Sequence, residues 1–362
     1  MNVDDGYSRS APLRTRPPVE QDRIVAHIRE QIRRGHLQPG DRVPGRVELI
    51  DQFQVSAMTV QRAFDRLQAD GFVEVHGRRG TYVCAAPAFR HLFVLAFPLA
   101  AKRRARFWNV LAQVAPDLIT PPDRLKILDE IDLHAGSWEV AELTEDARQR
   151  RIAGIFFATD PFLVANSPIL TQPGIPRVAI GVKPAPGVPT LIHLGGDMLL
   201  PRAVDYLAGR GRRRLAQITV PGAHVPGEFA RLLAAHGLPC QPWCEQCMSQ
   251  ATAEWAEQLA LLLFALPASE RPDGLIIRDD NLTDPVCRAL LRLGLSAADL
   301  DVVAHCNFPE PPPEFPVTRL GFDNRALFRL GLQALRDQAD GRPVAATLRL
   351  EPQFEWELPA ND

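Results

Sequence analysis

The residues of this chain whose types and spacing could do chemistry are concentrated between Val55 and Cys84. Ser56 can cap a helix with its hydroxyl, and the apolar residues that follow recur at helical spacing, so one helix face is predicted to be buried and the other free. The free face carries short or hydrogen-bonding side chains in its first two turns, namely Ala57, Thr59, Gln61 and Arg62. Amide and guanidinium groups bind base edges and phosphates, so this face predicts a helix that lies in the major groove of DNA.

A basic β-hairpin is predicted directly after this helix. Gly71 ends the helix, and two short apolar runs, Phe72–Val75 and Thr81–Val83, flank the tip His76–Gly80. A basic hairpin tip suits contacts to the phosphate backbone and the minor groove. With one arginine from the preceding helix, the predicted DNA contacts are Arg46, Ser56, Thr59, Gln61, Arg62, His76, Gly77, Arg78 and Arg79.

Composition favours a cytoplasmic protein of two or three domains. The chain has 362 residues, of which 46% are hydrophobic and 23% charged, and a formal net charge of -2. Its first residues do not resemble a signal peptide, and its longest apolar run, Leu259–Leu266, is too short to cross a membrane. We therefore expect no membrane association, and the six cysteines are expected to be reduced thiols.

The N-terminal part is predicted to contain three helices followed by this hairpin, which forms a wing. Residues 1–18 are polar and are expected to form a disordered tail, and residues 19–84 form the DNA-binding domain. Helical spacing of isoleucines predicts a first helix over Glu20–Arg34, and a second helix is predicted over Arg46–Phe53.

The stretch LQPGDRVPGRVELIDQFQVSAMTVQRAFDRLQADGFVEVHGRRGTYV resembles the winged helix-turn-helix of GntR-type bacterial regulators. In that family a PGD-x-LP segment precedes the second helix, VS-x-x-TV opens the third, and G-x-GT-[FY]-V closes the wing. This chain departs from the pattern at Gly45 and Val47, where Ser and Arg are usual, and at Ala57 and Gln61, where arginines are frequent. The resemblance implies the fold, and the departures imply a different operator sequence.

After a short linker, residues 85–89, the chain alternates strands and helices. Continuous apolar strands separated by helices predict parallel sheets covered on both faces, so residues 90–362 are expected to form two doubly wound lobes of an α/β domain. The predicted strands are His91–Phe97, Leu125–Ile131, Ile152–Ala158, Arg177–Gly181, Leu215–Val220, Gly274–Arg278 and Asp301–Cys306. The predicted helices are Phe107–Ala115, Trp138–Arg151, Met198–Ala208, Glu228–His236, Ala251–Leu266 and Thr283–Leu293.

This second part resembles the effector domain of LacI/GalR regulators, which is periplasmic-binding-protein-like. The segments that carry the resemblance are IAGIFFATD, IPRVAIG, DMLLPRAVDYLAGRGRRRLAQIT and RPDGLIIRDDNLTDPVCRALLRLGLSAADLDVVAHCNF. The resemblance implies two lobes that close on a small-molecule effector and a domain that dimerises.

The resemblance also implies four effector-binding residues: Phe107, Trp108, Asp160 and Asp280. A carboxylate at the carboxyl end of a strand can accept hydroxyl hydrogen bonds in a cleft, and aromatic rings can stack on a ligand. Asp280 could instead cap the helix Thr283–Leu293, and the two aromatic residues could instead belong to the core. The arginine that clamps sugars in the family would lie near Val225, where this chain has no arginine.

Two other patterns are weaker. Cys240, Cys244 and Cys247 have the C-x3-C-x2-C spacing of radical iron–sulfur enzymes, but they lie late in the chain, which favours a structural or incidental interpretation. The runs Arg212–Arg214 and Lys102–Arg106 are interpreted as solvated charged surfaces, although either could assist DNA binding in a dimer. We find no catalytic set of residues, and we expect no cofactor and no metal.

The leading hypothesis is a ligand-responsive transcription factor, expected to be a repressor, that binds a pseudo-palindromic operator as a homodimer. One alternative is a DNA-binding protein whose second domain only dimerises and has no effector. Another is a fusion to an aminotransferase-like domain. That enzyme needs a Schiff-base lysine, and none of the three lysines lies in a glycine- or serine-rich loop.

Overall fold

A computed structural model describes residues 20–33, 35–85, 88–131, 138–149, 151–161, 164, 166–183, 185–248 and 252–359. The expected tail 1–18 and part of the expected linker, residues 86–87, lie outside the described residues. The chain divides into two compact units between Ala88 and Phe89.

The first unit is a three-helix winged fold, as predicted. Its helices are α1 (Glu20–Arg33), α2 (Arg46–Phe53) and α3 (Ala57–Ala69), and its antiparallel hairpin pairs β1 (Val73–Val75) with β2 (Thr81–Val83). The apolar residues that the helical spacing selects are buried together, among them Ile24, Ile28, Leu49, Val60 and Leu67.

Local sequence fixes both ends of α3. The Ser56 hydroxyl accepts a hydrogen bond from the Thr59 amide at 3.2 Å, which satisfies one of the free N–H groups of the first turn. Gly71 follows the helix with φ +71°, a conformation that other residues rarely adopt. The predicted N-cap and the predicted helix stop are both confirmed.

The second unit consists of two parallel-sheet lobes, also as predicted. Its helices are α4 (Ala88–His91), α5 (Arg106–Val114), α6 (Trp138–Arg148), α7 (Pro168–Thr171), α8 (Leu199–Gly209), α9 (Glu228–Ala235), α10 (Ala253–Phe264), α11 (Asp280–Arg292) and α12 (Asn324–Ala339). Its strands are β3 (Leu92–Ala96), β4 (Arg124–Leu128), β5 (Gly154–Phe157), β6 (Arg177–Ile180), β7 (Thr190–Leu194), β8 (Leu215–Thr219), β9 (Glu245–Cys247), β10 (Gly274–Ile277), β11 (Asp301–Phe308), β12 (Thr318–Asp323), β13 (Thr347–Leu350) and β14 (Gln353–Phe354).

Each lobe is built on a six-stranded sheet. Lobe 1 has the order β4-β3-β5-β6-β7-β13, and all its neighbours are parallel. Lobe 2 has the order β9-β8-β10-β11-β12-β14, and its described pairs are parallel except β12 with β14. In both sheets the strand order reverses once, between β3 and β5 in lobe 1 and between β8 and β10 in lobe 2.

Both faces of each sheet are covered by apolar clusters. In lobe 1, Val94 and Ile155 belong to the cluster that includes α6, and Phe93 and Phe156 belong to the one that includes α12. In lobe 2, the sheet lies between α10 and α11 on one face and α8 and α9 on the other. Burial on both faces explains why the strands are continuously apolar.

Within the described ranges, three segments connect the lobes. The chain passes from lobe 1 to lobe 2 after β7, returns to lobe 1 with α12, and enters lobe 2 again at β14. Arg349 in β13 bonds Asp197, beyond β7, at 2.7 Å, so two of these segments are joined by an ion pair.

Several elements were missed by the sequence analysis, chiefly β7, β12, α12 and the short strands β9, β13 and β14. Short strands give too little periodicity to separate them from loops. In β12 the glycine is imposed by packing, because a Cβ on Gly321 would lie 1.8 Å from the carbonyl oxygen of Cys306. The predicted helix Thr283–Leu293 begins earlier, at Asp280.

Packing of α12 on lobe 1 gives a test of this core. A Cβ on Gly331 would lie 2.4 Å from the ring of Phe156, so Gly331→Ala should lower the free energy of unfolding by about 1–3 kcal/mol. Gly209 in α8 has open space around it, so Gly209→Ala should be neutral or stabilising by about 0.5–1 kcal/mol. Urea unfolding measures both, and equal midpoints for the two variants would contradict this packing.

Candidate functional site

The first candidate surface is the free face of α3. Ala57 and Arg62 are exposed, and Thr59 and Gln61 are partly exposed, as the helical spacing predicts. The amide of Gln61 donates to the Asp65 carboxylate at 2.6 Å, one turn along the helix. Gln61 is therefore held in one orientation in this structure, whereas Arg62 is exposed.

Residues before α3 also present polar groups to solvent. Arg46, the first residue of α2, is exposed. The Gly45 amide, where the GntR pattern has Ser, donates to the Glu48 carboxylate at 2.6 Å. Val47, where that pattern has Arg, is 72% exposed. Both departures thus lie outside the buried core.

The tip of the wing is a single turn of 3-10 helix over Gly77–Arg79. His76 lies 3.1 Å from Glu74, and the Tyr82 hydroxyl donates to the Arg79 carbonyl at 3.1 Å, so the tip is held by its own strands. Arg79 is exposed, and the side chain of Arg78 lies outside the described residues. Sequence reasoning missed Arg42, which pairs with Tyr82 and lies against Gly80.

The second candidate site lies where the two lobes meet. In open parallel sheets a ligand crevice forms beyond the carboxyl ends of the strands, at the point where strand order reverses. In lobe 1 this point is followed by the start of α5 and by the segment after β5 that contains Asp160. In lobe 2 it is followed by the segment before α9 and by the start of α11.

Arg106 shows that these two edges face each other. Its guanidinium, at the first residue of α5 in lobe 1, donates to Glu310 at 2.6 Å and to Asp284 at 2.8 Å, both in lobe 2. The Arg106 amide lies 3.4 Å from the side-chain oxygen of Asn281. The charged run Lys102–Arg106 is therefore not simply a solvated surface, and that interpretation was wrong for Arg106.

Asp280 lies at this edge but is 6% exposed. Its carboxylate accepts hydrogen bonds from Asn307 at 2.6 Å and from Asn281 at 3.0 Å. Burial, together with the neighbouring Asp279, raises the pKa of Asp280 to about 6. The N-cap of α11 is Asp279, which accepts from the Asn281 amide at 2.9 Å, so the capping role that was open for Asp280 belongs to its neighbour.

The aromatic pair of lobe 1 is partly buried against the core. Phe107 and Trp108 pack on the cluster that includes Phe93, and the Trp108 indole donates to the Ala158 carbonyl at 3.0 Å. That bond joins the start of α5 to the segment that leads to Asp160. One carboxylate oxygen of Asp160 is buried without a hydrogen-bond partner among the described residues. The structure thus brings the three lobe 1 residues to one edge.

Sequence reasoning missed a buried arginine at the edge of lobe 2. Arg278 follows β10, is 6% exposed, and contacts the Glu228 carboxylate at 3.4 Å. Burial lowers its pKa, although Glu228 opposes the shift. On the neighbouring strand, burial lowers the pKa of His305 to about 4, so this imidazole is neutral at pH 7. The signal that could have revealed Arg278 is a charged residue at the end of an otherwise apolar strand.

A cavity of about 300 Å³ lies beside this edge, between α11 and the loop Pro311–Pro313, with Arg106 at its wall. Its other lining side chains include Asp284 and Arg288, so it is charged at its rim. Arg106 is its lining residue from lobe 1, and Phe107, Trp108, Asp160 and Asp280 are not among the described residues that line it.

The cysteine pattern does not form a metal site within the described residues. The sulfur atoms of Cys240 and Cys244 lie 3.2 Å apart, and Cys247 lies in the edge strand β9. No group of three His, Cys, Asp or Glu side chains in the described ranges is arranged to hold a metal ion. Likewise, none of the described helices combines the length and apolar character needed to cross a bilayer.

Two family models match separate parts of the chain. Residues 20–83 match "Bacterial regulatory proteins, gntR family", and residues 204–356 match "Periplasmic binding protein-like domain". The chain therefore carries a GntR-type helix-turn-helix domain at its N-terminus, followed by a periplasmic-binding-protein-like domain. Both predicted resemblances are confirmed.

Curated relatives match over about the length of the DNA-binding domain. The HTH-type transcriptional regulator Rv1152 of Mycobacterium tuberculosis is 37% identical over 62 residues, which are 17% of this chain and 51% of the relative. The mannosyl-D-glycerate transport/metabolism system repressor MngR of Escherichia coli is 43% identical over 60 residues, 17% of this chain and 25% of the relative. The chain thus spans about half or less of the relatives it matches.

Solved structures share the fold of the second unit. A LacI family regulator from Lactobacillus casei with bound glucose superposes with a TM-score of 0.52 at 18% identity, covering 73% of this chain and 98% of that one. A LacI family regulatory protein from Chloroflexus aggregans gives 0.55 at 17% identity, with 74% and 96% covered. At this identity the likeness establishes the two-lobed fold.

The buried Asp280 predicts a pH dependence of stability. Because its folded pKa of about 6 lies above the ordinary 3.8, the folded protein keeps a proton that the unfolded chain has released, and stability falls as pH rises between these values. Asp280→Asn cannot ionise, so its free energy of unfolding relative to wild type should improve by about 2–3 kcal/mol from pH 4 to pH 7. Chemical unfolding across this range measures the difference, and parallel pH profiles would contradict the shifted pKa.

Proposed function

We propose that the protein is a ligand-responsive transcriptional regulator that binds a pseudo-palindromic operator in double-stranded DNA as a homodimer, and that it acts as a repressor in the cytoplasm. The observation that carries this proposal is the combination of two parts in one chain. One is a winged helix-turn-helix with a free polar helix face, and the other is a two-lobed domain in which the points of strand-order reversal face each other. The names of the curated relatives, which include a repressor, support the same assignment.

In this proposal α3 enters the major groove and the wing contacts the backbone. The exposed residues Arg46, Arg62 and Arg79 give the first unit positive groups on its α2, α3 and wing surfaces. A single winged helix contacts few base pairs, so a useful specificity requires two half-sites and two copies of the chain.

The effector in this proposal is a sugar-like or other polar metabolite held between the lobes by Phe107, Trp108, Asp160 and Asp280. LacI family structures with bound glucose and bound sucrose are among those that share the fold, which supports this ligand class. A ligand changes operator affinity only if it binds one arrangement of the lobes better than another. Arg106 joins the lobes through two carboxylates, so ligand-driven rearrangement must preserve or replace these bonds.

The homodimer is supported by an apolar stripe on α10. Trp255 and Leu262 are 66% and 71% exposed, and Leu259 lies between them at helical spacing and is partly buried. These three residues lie on one face of the helix, because positions four and seven residues apart are neighbours on its surface. An exposed stripe of this kind favours contact with another protein surface, and we assign it to a second copy.

The DNA-binding part of the proposal is tested on α3. Gln61→Ala should change the preferred base at one operator position, because an amide can read an adenine edge. Arg62→Ala should weaken all sites alike and reduce the salt slope of binding by about one. Selection from a random DNA pool and salt titrations measure these effects, with exposed Gln68→Ala at the far end of α3 as control. If neither variant differed from the control, α3 would not be the reading helix.

The dimer is tested by placing a charge in the stripe. Leu262→Arg should convert the dimer to a monomer, because a charge buried at an apolar interface is costly, and operator affinity should fall with it. Sedimentation analysis and operator titration measure the two effects. Ala234→Arg, at an exposed position of α9 in the same lobe, is the matched control and should remain dimeric. A dimeric Leu262→Arg protein would show that α10 is not the interface.

A further inference from the structure

The buried edge of lobe 2 holds polar atoms without partners. The Nε atom of Arg278 and both ring nitrogens of His305 are buried and have no hydrogen-bond partner among the described residues. Arg278 directly follows β10, and the β10–β11 register places His305 beside it on the adjacent strand. Buried donors and acceptors are normally bonded, so these atoms mark a place where hydrogen bonds to a bound molecule would be favourable.

The two residues point to the same side of the sheet. Side chains alternate along a strand, and Leu275 and Ile277 contribute to the cluster that includes α10, while Ile276 contributes to the cluster that includes α8 and α9. Arg278 and His305 therefore lie on the α9 side. The first residue of α9, Glu228, contacts Arg278 there at 3.4 Å. This is the edge of lobe 2 where the strand order reverses, and a ligand crevice is expected there.

Arg278 also lies where it can take the place of the absent clamp. The arginine that clamps sugars in LacI/GalR regulators would lie near Val225, which is 50% exposed in the loop before α9. Glu228, three residues later and the first residue of α9, contacts Arg278, which directly follows β10. A guanidinium is thus present where the strand order of lobe 2 reverses, but it comes from the residue after β10 and contacts a carboxylate at the start of α9.

Charge at this edge selects against anions. The carboxylates that influence Arg278 and His305 are those of Glu228, Glu245 and Asp279, and Asp280 lies next to Asp279. The carboxylates outnumber Arg278, and Arg106 is already paired with Asp284 and Glu310. An added phosphate or carboxylate is therefore not favoured, since like charges repel in a poorly solvated site. A neutral molecule with several hydroxyl groups can accept from the arginine and donate to the carboxylates.

We infer that Arg278, oriented by Glu228, is a ligand-contacting residue that determines specificity for a neutral polyhydroxyl effector, with His305 and Asp279 completing the hydroxyl contacts. This inference rests on the proposed function for the presence of an effector. It adds the residue that recognises the effector and the exclusion of its acidic and phosphorylated counterparts.

The test is calorimetric titration of the full chain with D-glucose, sucrose, D-ribose and D-mannitol, and with D-gluconate, glucose 6-phosphate and ribose 5-phosphate. At least one neutral compound should bind, and charged counterparts should bind at least about 10-fold more weakly. Arg278→Met should weaken neutral binding by about 10- to 100-fold, as expected for a lost hydrogen bond to a charged group. Arg278→Lys should recover only part, because it keeps the charge and loses the planar geometry.

Arg212→Met is the matched control, because Arg212 pairs with Asp301 at the opposite edge of the same sheet. This substitution should leave ligand affinity unchanged. Melting temperature and ligand-free operator binding check that each variant is folded. If Arg278→Met does not fold, Arg278→Lys and Glu228→Gln give the comparison, and both should weaken binding.

Three results would overturn the inference: unchanged affinity in the Arg278 variants, preference for charged probes, or no binding of any neutral probe. Operator affinity with and without the bound probe is measured separately. Loss of ligand affinity in Arg278→Met with no effect of ligand on wild-type operator binding would support the inference and reject the regulatory proposal.

Discussion

The ion pairs of Arg106 are the interaction on which the arrangement of the second unit depends. One guanidinium from lobe 1 bonds two carboxylates of lobe 2; the Arg106 and Glu310 side chains are 26% and 16% exposed, and that of Asp284 is 44% exposed. Bringing these charges together costs solvation, and the cost is offset only when the geometry is good. The bonds therefore favour relative positions of the lobes in which Arg106 contacts both carboxylates.

The polar groups around this contact are distributed unequally. Lobe 1 contributes aromatic side chains and Asp160, and lobe 2 contributes a dense set of carboxylates, amides and Arg278. Apolar clusters on both faces of each sheet hold these groups in place, so the edges are polar while the layers beneath them are rigid. This division explains how a stable fold can carry buried polar atoms that are incompletely bonded at one edge.

Much of the fold could be predicted from the sequence, because it depends on local patterns. Helical spacing of isoleucines gave α1, the serine cap and Gly71 bounded α3, and apolar runs gave the central strands. Short strands could not be found in this way, because their formation depends on partners distant in the chain, as the close approach of Gly321 to Cys306 shows. The helix α12 was missed although its local signals are present, since Asp323 caps it and buried apolar residues recur at helical spacing.

The sequence by itself determined the two domain types, the exposed polar face of α3 and the candidate residues at strand ends, since each follows from nearby residues. Only the tertiary structure decided which of these residues meet. It made Asp279 the cap and buried Asp280, turned Arg106 from a surface charge into an inter-lobe contact, and placed Arg278 beside Glu228 and His305. The physical reason is that burial and charge pairing depend on contacts across strands and lobes, which spacing along one chain does not specify.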